Sequence, residues 1–138
     1  MKKTVVAILA ILTMLAAGQA AFADAKVGCV DGDRVLREYP KFVAAQRQLA
    51  QVGQSKESAA RAAFDKEKDE NKKNQIVRNM QKDMAKEEEK LMKPILKTVN
   101  DTVQRVARQK GIAVVVNKSI VYYGGTDITN DVIAALKR

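Results

Sequence analysis

Three groups of residues in this 138-residue chain have types and spacings that could do chemistry. Cys29 is the single thiol, and Asp31 and Asp33 flank Gly32 as at the start of a cation loop. Met80, Met84 and Met92 recur at helical spacing, close to Phe64 and to the cations Lys72, Lys73, Arg78 and Lys82. The chain has no His. This removes the commonest general base, the Ser-His and Cys-His nucleophile pairs, and His-ligated metal sites. One Cys permits neither an internal disulfide nor a thiolate zinc cluster, and Cys29 reads as a small buried hydrophobe. Asp31-Gly32-Asp33 lacks further oxygen ligands at calcium-loop spacing, so it reads as a turn that caps a helix. Neither GxxxxGK[ST] nor GxGxxG occurs in the chain, so no phosphate cradle is expected. Nucleophile, base and oxyanion donors cannot be assembled from this inventory, which argues against an enzyme; no metal or cofactor is expected.

The third group suits binding rather than reaction. Methionines are soft and adaptable and serve promiscuous surfaces, although the same spacing would also fill a helix–helix seam. The four cations read either as a solvated face or as contacts to acidic protein or lipid headgroups. Over the whole sequence 25 Lys and Arg stand against 16 Asp and Glu, a formal charge of +9. That balance points to acidic protein partners or anionic lipid surfaces. Nucleic acid fits poorly, because acidic residues are interspersed and the charged stretch has few aromatics to stack on bases.

The elements that carry these residues follow from pattern. Lys2 and Lys3, an apolar run over residues 5–17 and Ala21-Phe22-Ala23 make a signal peptide over 1–23, cleaved after Ala23. The run is shorter than the roughly 20 residues a spanning helix needs. Lys26 also stands where a lipobox before Cys29 would need an apolar residue. Export to the periplasm follows, where chromosomal DNA is out of reach and no ATP pool is expected.

After a short strand over residues 26–31 and a helical turn over 33–38, Pro40 suits the first position of a new helix. In the 42 residues from 56 to 97, 12 are basic and 9 acidic, with the signs interspersed as on a solvated helix. Residues 65–75 contain no apolar side chain, so the chain is expected to turn there, near residues 71–74. Residues 40–110 then form an antiparallel helical hairpin with arms of roughly 30 and 35 residues. Pairing residues whose numbers sum to about 144 sets Phe64 against Met80, Ala60 against Met84, Lys56 against Glu88, Val52 against Met92 and Leu49 against Ile95, at coiled-coil spacing. Gly111 ends the returning helix. Residues 112–116 and 119–123 read as two strands joined by a turn at Asn117-Lys118, and Thr129 as the cap of a last helix over 130–136.

The fold class is therefore α+β, with a strand-rich body from residues 24–39 and 111–138 and a hairpin arm from 40–110. Val27, Cys29, Val30, Val114, Val116, Ile120 and Tyr122 belong to the body. Its roughly 45 structured residues are few for a core standing alone, and its strand edges are open, so oligomerisation through the strands is expected.

The motif KVGCVDGDRVLREYP, the charged hairpin and the tail IAVVVNKSIVYYGGTDITNDVIAALKR together resemble the Skp family, the OmpH-like periplasmic chaperones. The resemblance implies a homotrimeric jellyfish, with a small β-barrel-type body from three subunits and three hairpin tentacles around a cavity. It also implies an ATP-independent holdase for unfolded outer-membrane β-barrel proteins; contact to anionic lipid or lipopolysaccharide is an expectation from the basic residues. The hairpin is shorter than in the best-known members, which implies a smaller cavity. A trimeric coiled-coil envelope scaffold without holdase activity is the alternative.

Overall fold

The computed structural model describes residues 26–138; the expected signal peptide lies outside them. Strand β1 (Lys26–Val30) leads into helix α1 (Gly32–Glu38), where Asp31 Oδ1 accepts the Arg34 N–H at 2.9 Å as the N-cap. Pro40 opens helix α2 (Pro40–Lys66), and helix α3 (Glu70–Gln109) returns beside it. Strand β2 (Ile112–Asn117), a 3-10 turn (Lys118–Ile120), strand β3 (Thr126–Asp127) and helix α4 (Thr129–Leu136) complete the α+β architecture. Gly111, between α3 and β2, has φ +66°, a conformation glycine adopts without the Cβ penalty of other residues.

The sheet runs β2-β1-β3 with both pairings parallel, so β1 is central. Gly28 permits the close approach: a Cβ there would lie 3.0 Å from Ile112 Cδ1 and Cγ2 and 3.3 Å from the Thr126 carbonyl. The main core gathers Val35 of α1, Val106 and Ala107 of α3, Ile112 of β2, and Ile128, Val132 and Ile133 at α4. A second cluster, Tyr39, Ala45 and Ile95, packs the base of the hairpin, and Leu136 borders both clusters. Lys110 to Asp131 (3.0 Å) and Lys137 to Glu38 (3.2 Å) tie α4 to its neighbours. Arg34 and then Lys137 donate to Glu38 and hold its carboxyl below the usual range.

Three expectations are corrected. Thr129 does not cap the last helix: it is the first residue of α4, and Ile128 stands at the N-cap without a side-chain bond. The Thr129 hydroxyl instead donates to Asp127 and accepts the Asp31 N–H. Residues 119–123 do not form the second strand of a hairpin. Asn117 Oδ1 accepts the Ser119 N–H at 2.9 Å and starts the 3-10 turn, and the chain then crosses to the far side of β1. Gly124 and Gly125, at φ +79° and +85°, make that turn, so the third strand is Thr126–Asp127. The hairpin also turns at residues 67–69 rather than 71–74, which lie inside α3. There Asp69 Oδ1 accepts the N–H groups of Asn71 (2.8 Å) and Lys72 (3.2 Å), capping α3. Glu67 Oε1 takes those of Asp69 and Lys68, and these bonds lower its pKa.

The earlier turn slides the register. Lys56 pairs with Asp83 (3.7 Å) instead of Glu88, Met84 Cε lies against Gly53 rather than Ala60, and Ala45 packs with Ile95. These pairs sum to between 137 and 140, short of the 144 expected.

Candidate functional site

The four buried residues of α3 (Ile95, Thr102, Val106 and Ala107) all follow Pro94, and the buried residue of α2 is Ala45, near its start. The outer arm therefore leaves its apolar side chains half-exposed. A helix pair that buries so little apolar surface is weakly held by its own contacts and keeps that surface available to another molecule.

That surface is ordered. Ile76, Met80, Met84, Glu88, Met92 and Leu96 succeed one another at four-residue spacing along α3, a row in which each side chain neighbours the next while the row winds about 40° per step around the helix. Facing it, α2 presents Phe42, Leu49, Ala50, Gly53, Glu57, Ala60 and Phe64. Between the two helices lie an open groove of about 800 Å³ along the mid-arm and one of about 240 Å³ at the tip, both lined by Glu57. A third groove of about 510 Å³ lies where α3 meets β2 and α1, lined by Val30, Val35, Val99, Val103 and Val115, and Leu96 borders it and the mid-arm groove alike.

The structure brings Phe64, Met80, Met84 and Met92 into this system, each half-exposed or at its rim. Lys73 Nζ stands 5.2 Å from the Phe64 ring centroid, within cation–π range, and pairs with Glu70 Oε1 at 2.8 Å. Lys72, Arg78 and Lys82 are exposed on the same outer stretch without lining a groove. Ile76, Val77 and Leu96 were missed by sequence reasoning. The four-residue interval from Met80 back to Ile76 and from Met92 on to Leu96 was the available signal.

The body residues divide. Cys29 is buried at the sheet centre with a free thiol, and Val30 and Val116 are half-buried. Val27 is exposed beside a register irregularity between Lys26 and Val27, so it does not share the burial of Cys29. Val114 is half-exposed, Ile120 is 69% exposed, and Tyr122 and Tyr123 are fully exposed. The outer edge of β2 carries no strand partner among the described residues. Lys118 Nζ and Asp127 Oδ2 close the loop between them at 2.7 Å. Lys118, then the Thr129 hydroxyl and N–H, hold the Asp127 carboxyl far below the usual carboxylate range.

A family described as outer membrane protein (OmpH-like) matches residues 53–136, from mid-α2 to the end of α4. The chain belongs to the OmpH-like family. The match spans more than half of the sequence and takes in both the outer arm and the body. Comparison with curated proteins gives no match. In this OmpH-like chain the family region thus contains the whole groove-lining row of α3 and the exposed Ile120 to Tyr123 segment. No described helix is long and apolar enough to cross a membrane.

Proposed function

We propose that this OmpH-like chain is an ATP-independent periplasmic holdase that keeps unfolded outer-membrane β-barrel proteins soluble. The observation that carries the reading is the outer arm, whose methionine row is ordered yet open to solvent on the tip side of Pro94. Unfolded barrel strands expose an apolar residue at every second position and aggregate readily. A wide, shallow surface of methionines offers such chains many weak contacts, while the net positive charge draws acidic clients from a distance.

The body supports an oligomer. The open edge of β2 and the exposed Val114, Ile120, Tyr122 and Tyr123 are surfaces a lone small domain would not keep. In this reading they join three copies into a barrel-type body, and three arms surround the client. Phe64, Met80, Met84 and Met92 contact it, with Lys72, Lys73, Arg78 and Lys82 supplying the field at the tips and any contact to anionic lipid or lipopolysaccharide.

Light scattering on the purified chain, alone and with a urea-diluted outer-membrane β-barrel protein, tests this. A trimer that forms a soluble complex and suppresses client turbidity is expected. A trimer that leaves the client to aggregate would make the protein a scaffold, and a monomer would remove the oligomeric body.

A further inference from the structure

The oxidisable sulfur atoms among the described residues fall into two environments. Cys29 is 5% exposed, on the central strand of the sheet. Met80, Met84 and Met92 are the methionines of this region; all three stand on α3 and each is half-exposed. Each lines an open groove between the two arm helices. Met80 is at the tip beside Phe64, Ile76 and Val77, and Met84 and Met92 are in the mid-arm. The sulfur chemistry of the arm is thus open to solvent, and that of the body is covered.

The neighbours of these side chains make a polar atom costly there. Met84 Cε lies over Gly53, 3.3 Å from where a Cβ would stand. Gly53 is inside α2, so the N–H groups around it are engaged within the helix and offer a new acceptor no bond. Met92 packs against the cluster of Tyr39, Ala45 and Ile95. The fully buried residues of both arm helices lie toward the base, so the outer seam depends on half-buried contacts such as these.

We propose that Met80, Met84 and Met92 form a site of reversible oxidative modification, at which hypochlorous acid loosens the outer arm and leaves the body folded. The thioether sulfur gives an electron pair to the oxygen of the acid. An S–O bond forms, the O–Cl bond breaks, and chloride and a proton leave; sulfur is oxidised by two electrons and chlorine is reduced. The sulfoxide is polar where the thioether was apolar. Its oxygen finds water only by drawing the side chain off the facing helix, which removes the seam contact. A dithiol-dependent sulfoxide reductase reverses the step: two thiols become a disulfide and the oxygen departs as water. The proposal concerns the order of the arm and stands apart from what the arm holds.

The test titrates the purified chain with hypochlorous acid, locates the added oxygen by peptide mass spectrometry and follows amide exchange. Sulfoxide at the three methionines is expected before any oxidation of Cys29. Exchange over residues 49–64 and 76–92 should then quicken about tenfold or more, while that of β1 and α4 stays unchanged. The pair of reductases that serve the two sulfoxide epimers should restore slow exchange. Leucine replaces methionine at similar volume, so the combined Met80→Leu, Met84→Leu and Met92→Leu variant should keep the arm and lose the response. Met84→Gln, which sets a polar group over Gly53 without oxidant, should quicken arm exchange by itself. Oxidation of Cys29 ahead of the methionines would overturn the proposal. Unchanged arm exchange after full sulfoxide formation would do the same, as would an equal response in the leucine variant or equal loosening of the body.

Discussion

Lys118 Nζ lies 2.7 Å from Asp127 Oδ2, while Asp127 Oδ1 accepts the Thr129 hydroxyl at 2.6 Å and the Thr129 N–H at 2.9 Å. The same Thr129 oxygen accepts the Asp31 N–H at 3.0 Å. One carboxylate thus links the turn after β2, the start of α4 and, through Thr129, the end of β1. Its folded-state pKa is depressed, chiefly by Lys118 and then by Thr129. The stabilisation is therefore complete above the unfolded value of about 3.9 and lost as pH falls through it toward the folded value. Asp127→Asn should cost about 1 kcal/mol at neutral pH, a figure kept small because the pair is partly solvated. Urea unfolding at pH 7 and pH 3 should show that cost shrinking at the lower pH; an unchanged cost would mean that the ion pair does not hold the loop.

Gly28 sits where β1 is hemmed in on both sides. A Cβ there meets two Ile112 carbons at 3.0 Å, and only the Cδ1 atom is the far end of a side chain; the Thr126 carbonyl at 3.3 Å is backbone. Gly28→Ala should therefore lower stability by about 1–3 kcal/mol, as overpacking does. Thermal unfolding checks this, and unchanged stability would show that the sheet can spread without loss.

At Gly53 the sign is opposite. The atom nearest an added Cβ is Met84 Cε at 3.3 Å, the end of a flexible chain that can swing aside. Glycine inside a helix costs about 1 kcal/mol relative to alanine. Gly53→Ala should raise stability by about 0.5–1 kcal/mol and slow amide exchange in α2, read by hydrogen-exchange mass spectrometry. A destabilised variant would place Met84 in a tighter seam than the structure shows.

The arm and the caps at Asp31 and Gly111 were legible because their signals are local, whereas Thr129 was not, because its hydroxyl is taken by the distant Asp31 N–H and by Asp127. Asp31, Pro40 and Gly111 each act within a turn of their own position, and residues 65–75 lack any apolar side chain wherever the chain turns. The register was not legible, because several alignments of this seam set apolar against apolar, and the one adopted follows from the turn that Glu67 and Asp69 build with backbone N–H groups. Residues 119–123 have strand composition but no strand partner among the described residues. Their β-branched and aromatic side chains fit a pleated surface, yet Asn117 diverts the backbone and β1 takes Thr126–Asp127 instead. Composition there describes strand propensity without a pairing within this chain. In the groove, methionine drew attention by its chemistry, while Ile76 and Leu96 were passed over as ordinary hydrophobes despite the four-residue interval they share with it.

Lys56 and Asp83 give the seam a direct check. Their 3.7 Å contact is partly exposed, so a double-mutant cycle should return a coupling of about 0.2–1 kcal/mol. The same cycle on Lys56 and Glu88 should return none. Coupling to Glu88 instead would restore the register expected from sequence.

Pro94 stands at the boundary between the packed base and the open arm. It has no N–H to give the Lys90 carbonyl, and on the next turn the Thr98 hydroxyl bonds back to the Pro94 carbonyl at 2.8 Å; both features loosen or bend a helix. On its body side Ile95 is buried against Tyr39 and Ala45, and on its outer side the row toward Met84 is half-exposed. A soft point just there lets the arm change its angle without disturbing the core. Pro94→Ala restores the missing bond and should stabilise α3 by about 1 kcal/mol or more. Amide exchange over residues 90–98 should slow accordingly. Spin labels at the tip and on α4 should report a narrower spread of distances, and on the proposed holdase reading the largest barrel clients should be held less well while small ones are unaffected. An unchanged distance spread would mean that the arm bends elsewhere, with Gly53 the next position to substitute.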